Sequence, residues 1–204
     1  MKHIFKQNNP QHPTFILLHG TGGNEKDLIP LAQWIDPLAS YLGILGEIDE
    51  NGHRRFFKRL SEGVFDEADL EIQTDRLHNF IKEAAKKYEF SLSNIVLLGY
   101  SNGANMAQSL LFHYPNGYSY AMLLHPMNIK KEQAFADLSQ LDVFIGAGLY
   151  DPICPTSETD YLVKRLNKAN ANTQCFYDEA GHQITQNELQ EATSWYQKVV
   201  LSID

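Results

Sequence analysis

The sequence predicts an α/β fold with a mostly parallel central sheet and helices on both of its faces. Short apolar runs typical of buried strands alternate along the chain with segments whose apolar residues have helical spacing. A Gly-x-Ser-x-Gly pentapeptide, residues 99–103, lies where one of these strands meets a helix. This position narrows the prediction to the α/β-hydrolase fold. A length of 204 residues favours one domain over residues 1–204 without a large cap domain.

Apolar runs predict the strands of the sheet. The first run is residues 14–19, which stops at Gly20 and a glycine-rich loop. Residues 94–98 form a second run directly before the pentapeptide. Further strands are predicted later in the chain, at residues 120–124, 143–147 and 173–177.

Helical spacing of apolar residues predicts the helices. The clearest case is residues 75–88, where Leu77, Ile81 and Ala84 fall on one face. Other helices are predicted around residues 28–35 and over 104–112 and 156–169. A final helix is predicted to open at Thr185, where Thr185 and Glu188 match a capping box, and to have apolar residues on its inner face up to Val199. Residues 43–70 are predicted to be irregular, with a turn at Asn51-Gly52.

Composition excludes several classes of function. The net charge of −8 argues against nucleic acid or an anionic membrane as the main partner. The N-terminus lacks an apolar signal-peptide region, and no stretch approaches the roughly 18 apolar residues of a membrane helix, so a cytoplasmic location is expected. The two cysteines form no spaced framework and are expected to be reduced. No metal or cofactor motif is present, and no cofactor is expected.

Ser101 is the predicted nucleophile. In the arrangement strand, sharp turn, serine, helix, the serine hydroxyl is lifted above the sheet. Gly99 and Gly103 fit this turn because a larger side chain at either position would collide with it.

A serine hydroxyl needs a base and an orienting acid to act as a nucleophile. In this fold they follow the serine in the order acid, histidine. Asp151 follows the strand at 143–147, and His182 follows the last strand, so these two are the predicted acid and base. His125, after the strand at 120–124, is an alternative base, and Asp178 is an alternative acid.

Backbone N–H groups are predicted to stabilise the oxyanion that forms when the serine attacks. One donor should be Asn102, which follows the nucleophile, and the other Thr21 in the glycine-rich loop after the first strand. The long connection at 43–70 is a candidate for the loop that shapes the pocket. Within it, Phe56 or Phe57 is predicted to form an apolar substrate-binding pocket, although packing in the core is an equal alternative.

Several motifs together resemble the phospholipase/carboxylesterase family, which includes acyl-protein thioesterases and small bacterial carboxylesterases. They are His19 to Asn24, Gly99 to Gly103, Asp151 to Pro155 and Gly181-His182. Residues 51–66 are similar to the hydroquinone-resistance-type arm of that family. The resemblance implies a triad of Ser101, Asp151 and His182, with Thr21 and Asn102 as the oxyanion donors.

The sequence therefore predicts a serine hydrolase that cleaves a small-molecule carboxylic ester of short or medium acyl chain. A thioesterase or lysophospholipase with the same triad is the nearest alternative. An α/β-hydrolase fold kept as a binding module is a second alternative, which the complete triad disfavours.

Overall fold

The computed structural model describes residues 1–61 and 63–202. Residues 62, 203 and 204 belong to the predicted domain, and residue 62 to the predicted irregular stretch, but they lie outside the described residues. The strands of the described part are β1 His3–Lys6, β2 Thr14–Leu18, β3 Ser40–Ile44, β4 Ile48–Glu50, β5 His53–Arg55, β6 Arg59–Ser61, β7 Val64–Phe65, β8 Ile95–Tyr100, β9 Tyr120–Leu124, β10 Asp142–Gly148 and β11 Asn172–Asp178. Its α-helices are α1 Ile29–Ile35, α2 Glu67–Tyr88, α3 Asn102–His113, α4 Thr156–Lys168 and α5 Gln186–Trp195.

The central sheet has seven strands in the order β1-β3-β2-β8-β9-β10-β11. All neighbours are parallel except the edge strand β1, which pairs antiparallel with β3. Parallel strands end at a common edge, so the loops that follow β2, β8, β9, β10 and β11 meet at the carboxyl edge of the sheet. The predicted α/β-hydrolase fold is confirmed.

Helices bury both faces of the sheet, and the strands are apolar on both sides as a result. In β2, Ile16 and Leu18 belong to one core cluster, whereas Phe15 and Leu17 belong to the other. The helices α2, α3 and α4 cover the first face, and α1 and α5 cover the second. Within residues 1–61 and 63–202, no helix combines the length and apolar character needed to cross a bilayer.

The helix predicted over 75–88 begins earlier, at Glu67. Its first residue follows Asp66, whose side chain accepts a hydrogen bond from the Asp69 N–H at 3.0 Å. This is an N-cap interaction, which satisfies one of the free donors of the first helical turn. The apolar pattern from Leu77 onward located the helix but missed its acidic first turns.

The stretch predicted to be irregular contains regular structure. It includes the end of β3, which lies between β1 and β2 in the sheet. Two small hairpins follow, β4-β5 and β6-β7, and the first turns at Asn51-Gly52 as predicted. Strand β3 was not predicted because Gly43 interrupts its apolar run, yet this glycine is required. A Cβ there would lie 1.9 Å from the Glu25 carbonyl oxygen.

Candidate active site

The pentapeptide at residues 99–103 forms a tight turn between β8 and α3. Ser101 has φ 51° and ψ −115°, a conformation that L-residues rarely adopt. A Cβ on Gly99 would lie 2.6 Å from the Gly103 carbonyl oxygen, and one on Gly103 would lie 1.9 Å from the Leu18 carbonyl oxygen. Both glycines are therefore needed where strand and helix approach each other so closely.

Ser101, His182 and Asp151 lie in one chain of hydrogen bonds. The Ser101 Oγ is 2.9 Å from His182 Nε2, and His182 Nδ1 is 2.7 Å from Asp151 Oδ2. These three side chains come from the loops after β8, β11 and β10, at the carboxyl edge of the sheet. The Tyr100 hydroxyl donates a hydrogen bond to the His182 backbone carbonyl, which holds the histidine loop against β8.

The surroundings of Asp151 keep its carboxylate ionised. Its Oδ1 accepts hydrogen bonds from the N–H groups of Ile153, at 2.8 Å, and Cys154, at 2.9 Å. Burial alone would raise the pKa of Asp151, but these N–H groups and the histidines hydrogen-bonded to Oδ2 hold the pKa below its usual value. An ionised Asp151 can orient His182 and stabilise its protonated form.

A second histidine contacts the same carboxylate. His125, the alternative base, lies behind Asp151, with Nδ1 3.0 Å from Asp151 Oδ2 and Nε2 3.1 Å from Glu188 Oε2. His125 and Glu188 are each 1% exposed. Burial lowers the pKa of His125, but the hydrogen bonds and negative charges of Glu188 and Asp151 outweigh it and raise the pKa above its usual value. The imidazolium form of His125 is therefore favoured between the two carboxylates.

The capping box predicted at the last helix included Glu188, but its side chain contacts His125. Thr185 Oγ1 accepts a hydrogen bond from the Glu188 N–H at 3.1 Å, as expected. The Glu188 carboxylate, however, turns inward to His125 instead of back to the Thr185 N–H. Gly146 in β10 makes room for it, since a Cβ there would lie 1.8 Å from Glu188 Oε1.

Asp178, the alternative acid, has other partners. It accepts hydrogen bonds from the Thr185 hydroxyl and from the Glu179 N–H. It thus supports the start of α5, while Asp151 is the carboxylate at His182.

A cavity of about 300 Å³ opens in front of Ser101. Thr21 and Asn102, the predicted oxyanion donors, both line it. The Asn102 amide belongs to the first turn of α3, where helix geometry provides no intrahelical acceptor for the N–H. The loop of Thr21 is fixed by His19, whose Nδ1 lies 2.6 Å from the Gly20 carbonyl and whose Nε2 accepts from the Gly46 N–H.

Phe56 and Phe57 follow the alternative of packing in the core, and they do not form the predicted pocket wall. Both rings are buried in the core, and neither is among the described residues that line the cavity. Phe56 packs on His19, and its N–H donates to Asn102 Oδ1 at 2.7 Å. Phe57 packs edge-on behind Phe65, which is the phenylalanine at the cavity wall. The prediction of an aromatic wall from this segment is corrected from Phe56 or Phe57 to Phe65.

The same segment also brings two arginines to the cavity, which were not among the predicted site residues. Arg55 and Arg59 line the cavity together with Thr21 and Ser101. Arg55 and Arg59 flank Phe56 and Phe57 in the sequence, but the direction of each side chain depends on the hairpins β4-β5 and β6-β7.

The two histidines and Asp151 also have the donor types of a metal site. Their potential ligand atoms all lie within 4.8 Å of one another. Hydrogen bonds account for this cluster, because both Nδ1 atoms contact Asp151 Oδ2 and His182 Nε2 contacts Ser101 Oγ. Ser101, His182 and Asp151 are hydrogen-bonded in the order that was predicted for a nucleophile, its base and its acid.

Comparison with known proteins identifies the family of the chain. The profile of the phospholipase/carboxylesterase family matches residues 56–200. The Bacillus subtilis (strain 168) protein MhqD, a hydrolase by name, is 46% identical over 201 residues, covering 98% of this chain and 100% of MhqD.

Solved structures show the same relationship. The crystal structure of the Bacillus cereus carboxylesterase is 49% identical with a TM-score of 0.95, covering 97% of this chain and 94% of that one. The structure of YahD with malic acid is 28% identical with a TM-score of 0.91, covering 97% and 98% of the two chains. The chain belongs to the phospholipase/carboxylesterase family, and it is a hydrolase of the carboxylesterase type.

Proposed function

We propose that this enzyme hydrolyses carboxylic esters of short or medium acyl chain through an acyl-enzyme formed on Ser101. The observation that carries the proposal is the hydrogen-bonded chain from Ser101 through His182 to Asp151. It has the order nucleophile, base, acid, and the serine end opens into the cavity.

In the proposed acylation step, His182 Nε2 takes the proton of Ser101 while Oγ attacks the ester carbonyl carbon. The N–H groups of Thr21 and Asn102 stabilise the resulting oxyanion. His182 then returns the proton to the leaving alcohol, and the acyl group stays on Ser101. Asp151, held ionised by its N–H donors, stabilises the imidazolium in between.

Deacylation repeats these steps with water. His182 removes a proton from the water molecule that attacks the acyl-enzyme carbonyl, and it returns the proton to Ser101 Oγ as the acid product leaves. The chemistry needs no group beyond these side chains and the two backbone donors.

The cavity size supports the proposed acyl length. A volume of about 300 Å³ lies at the lower end of the range for small-molecule sites. Phe65 and Met127 provide apolar surface within it. Malic acid, the compound named with the YahD structure, is a small acid of the size class expected for a product here. A thioesterase or lysophospholipase would use the same residues, and it differs in the leaving group. A cytoplasmic location remains a prediction from the sequence.

A serine substitution tests the proposal against that of a binding module. Ser101→Ala should lower kcat for p-nitrophenyl butyrate by about 10⁴ to 10⁶ and should abolish labelling by a fluorophosphonate probe. Ser93→Ala, which removes a hydroxyl before β8 at the opposite edge of the sheet, is the matched control. Unchanged turnover in folded Ser101→Ala protein, or an unlabelled wild type, would overturn the proposal.

A further inference from the structure

Two cationic side chains lie beside the serine in the cavity wall. The Arg55 side chain is 5% exposed and donates from Nη1 to Thr21 Oγ1 at 2.7 Å and from Nε to the Phe57 carbonyl at 3.3 Å. The Arg59 side chain is 33% exposed. Arg55 is therefore hydrogen-bonded to Thr21, the proposed oxyanion donor.

Among the described residues, the Glu50 carboxylate forms ion pairs with both guanidinium groups. Glu50 Oε1 lies 2.9 Å from Arg59 Nε, and Glu50 Oε2 lies 3.6 Å from Arg55 Nε. Burial, together with the charge of Arg59, lowers the pKa of Arg55, but from so high a value that the group stays charged. The pair of arginines and Glu50 thus carries a net positive charge at the cavity.

A buried guanidinium is costly unless a negative group compensates it. Neutral acceptors, the Thr21 hydroxyl and the Phe57 carbonyl, satisfy some of the Arg55 donors but supply no charge. Guanidinium groups bind carboxylates with good geometry, because two N–H donors can meet two oxygens. Glu50 is shared with Arg59, so a substrate carboxylate would supply the second negative charge that the two arginines lack.

We propose that the preferred ester carries a carboxylate, in its acyl or its alcohol part, which binds against Arg55 and Arg59 while the ester carbonyl lies at Ser101. This inference rests on the proposed ester hydrolysis and specifies its substrate class. The small cavity places the carboxylate within a few bonds of the scissile ester, as in a half-ester of a short dicarboxylic acid.

Isosteric ester pairs measure the preference. Monoethyl succinate carries a carboxylate where ethyl isocaproate carries an isopropyl group, and acetoxyacetate is paired in the same way with isobutyl acetate. The first pair places the charge in the acyl part and the second in the alcohol part. For at least one pair, kcat/KM for the anionic ester should exceed that for the neutral ester by about tenfold or more, the effect of one charge-assisted hydrogen bond.

Variants assign the preference to the arginines. Arg59→Gln and Arg55→Gln should each lower the anionic-to-neutral ratio by about tenfold. Glu50→Gln should raise the ratio, because both arginines then face the substrate without a competing carboxylate. Arg54→Gln is the matched control, since its side chain pairs with Asp49 and is not among the described cavity-lining groups. It should leave the ratio unchanged.

Product acids provide a second readout that does not depend on turnover. Succinate or glycolate should slow fluorophosphonate labelling of the wild type more than of Arg59→Gln, which keeps the buried Arg55 in place. Equal ratios in wild type and both arginine variants, with no protection by the acids, would overturn the inference. If Ser101 is not labelled and no ester is cleaved, the proposed function itself fails instead.

Discussion

The buried pair of His125 and Glu188 allows a sharp test of the electrostatics behind the triad. Glu188→Gln keeps the shape of the side chain and can still accept a hydrogen bond from His125, but it removes the charge. Because a buried hydrogen bond to a charged group contributes about 1.5–3 kcal/mol, the variant should lose that much stability at about pH 6, where His125 is protonated.

The loss should depend on pH with a defined sign. The pKa of His125 is raised in the folded protein, chiefly through Glu188 and then Asp151. Its stabilising effect is therefore complete below the unfolded pKa of about 6.5 and is lost as pH rises through the folded pKa. The stability difference between wild type and Glu188→Gln should shrink toward higher pH. Other titratable groups also face His125: the rings of His182 and Tyr100, at 5.3 and 5.9 Å from its own ring, and the Cys154 thiol, which donates to the His125 backbone carbonyl at 3.3 Å.

Urea unfolding at about pH 6 and about pH 9 measures this difference. Glu191→Gln, on the exposed face of the same helix, is the matched control and should show no such trend. His125→Gln alone leaves the Glu188 carboxylate buried without a cation, which costs about 3–5 kcal/mol. The double variant should therefore be more stable than the sum of the single losses predicts. A pH-independent loss in Glu188→Gln together with additive single losses would refute an ionic His125–Glu188 pair.

Two further predictions concern the reaction and its cavity. Asp151→Asn should lower kcat by about 10⁴. Asp178→Asn should instead change the stability of the start of α5 and leave kcat near the wild-type value. Measuring kcat with one p-nitrophenyl ester distinguishes the two variants, and the reverse pattern would show that the acid is misassigned. Phe65→Ala should shift the preferred acyl length upward because it enlarges the cavity wall, while Phe57→Ala should cost about 3–5 kcal/mol of stability with little change in the acyl profile of the folded protein. A profile from acetate to palmitate that shifts only in Phe57→Ala would contradict this assignment.

Local sequence signals predicted the strand, turn and helix around Ser101. The turn around Ser101 is encoded within a few residues, because its glycines and the adjoining strand and helix are all neighbours in the chain. Asp151 and His182 could be placed because strand order and chain order coincide at this edge of the sheet. Their hydrogen bonds then follow from the fold.

Long-range pairings could not be predicted in the same way. The capping-box pattern at Thr185 correctly predicted the start of α5. The Glu188 carboxylate, however, is hydrogen-bonded to the buried His125, which lies 63 residues away in the chain. The segment with Phe56 and Arg55 carries both apolar and basic residues, and only the paired hairpins decide which of them reach the cavity. Phe56 and Phe57 are buried in the core, and Arg55 and Arg59 line the cavity.

In the proposed mechanism, Ser101 becomes covalently acylated during turnover. Wild-type protein mixed with a p-nitrophenyl ester and quenched with acid should gain the mass of one acyl group, and peptide mapping should place it on Ser101. His182→Ala, which lacks the base, should not accumulate the adduct on the same timescale. An acyl group on another residue, or a wild type that turns over the ester without any adduct and without fluorophosphonate labelling of Ser101, would contradict the mechanism.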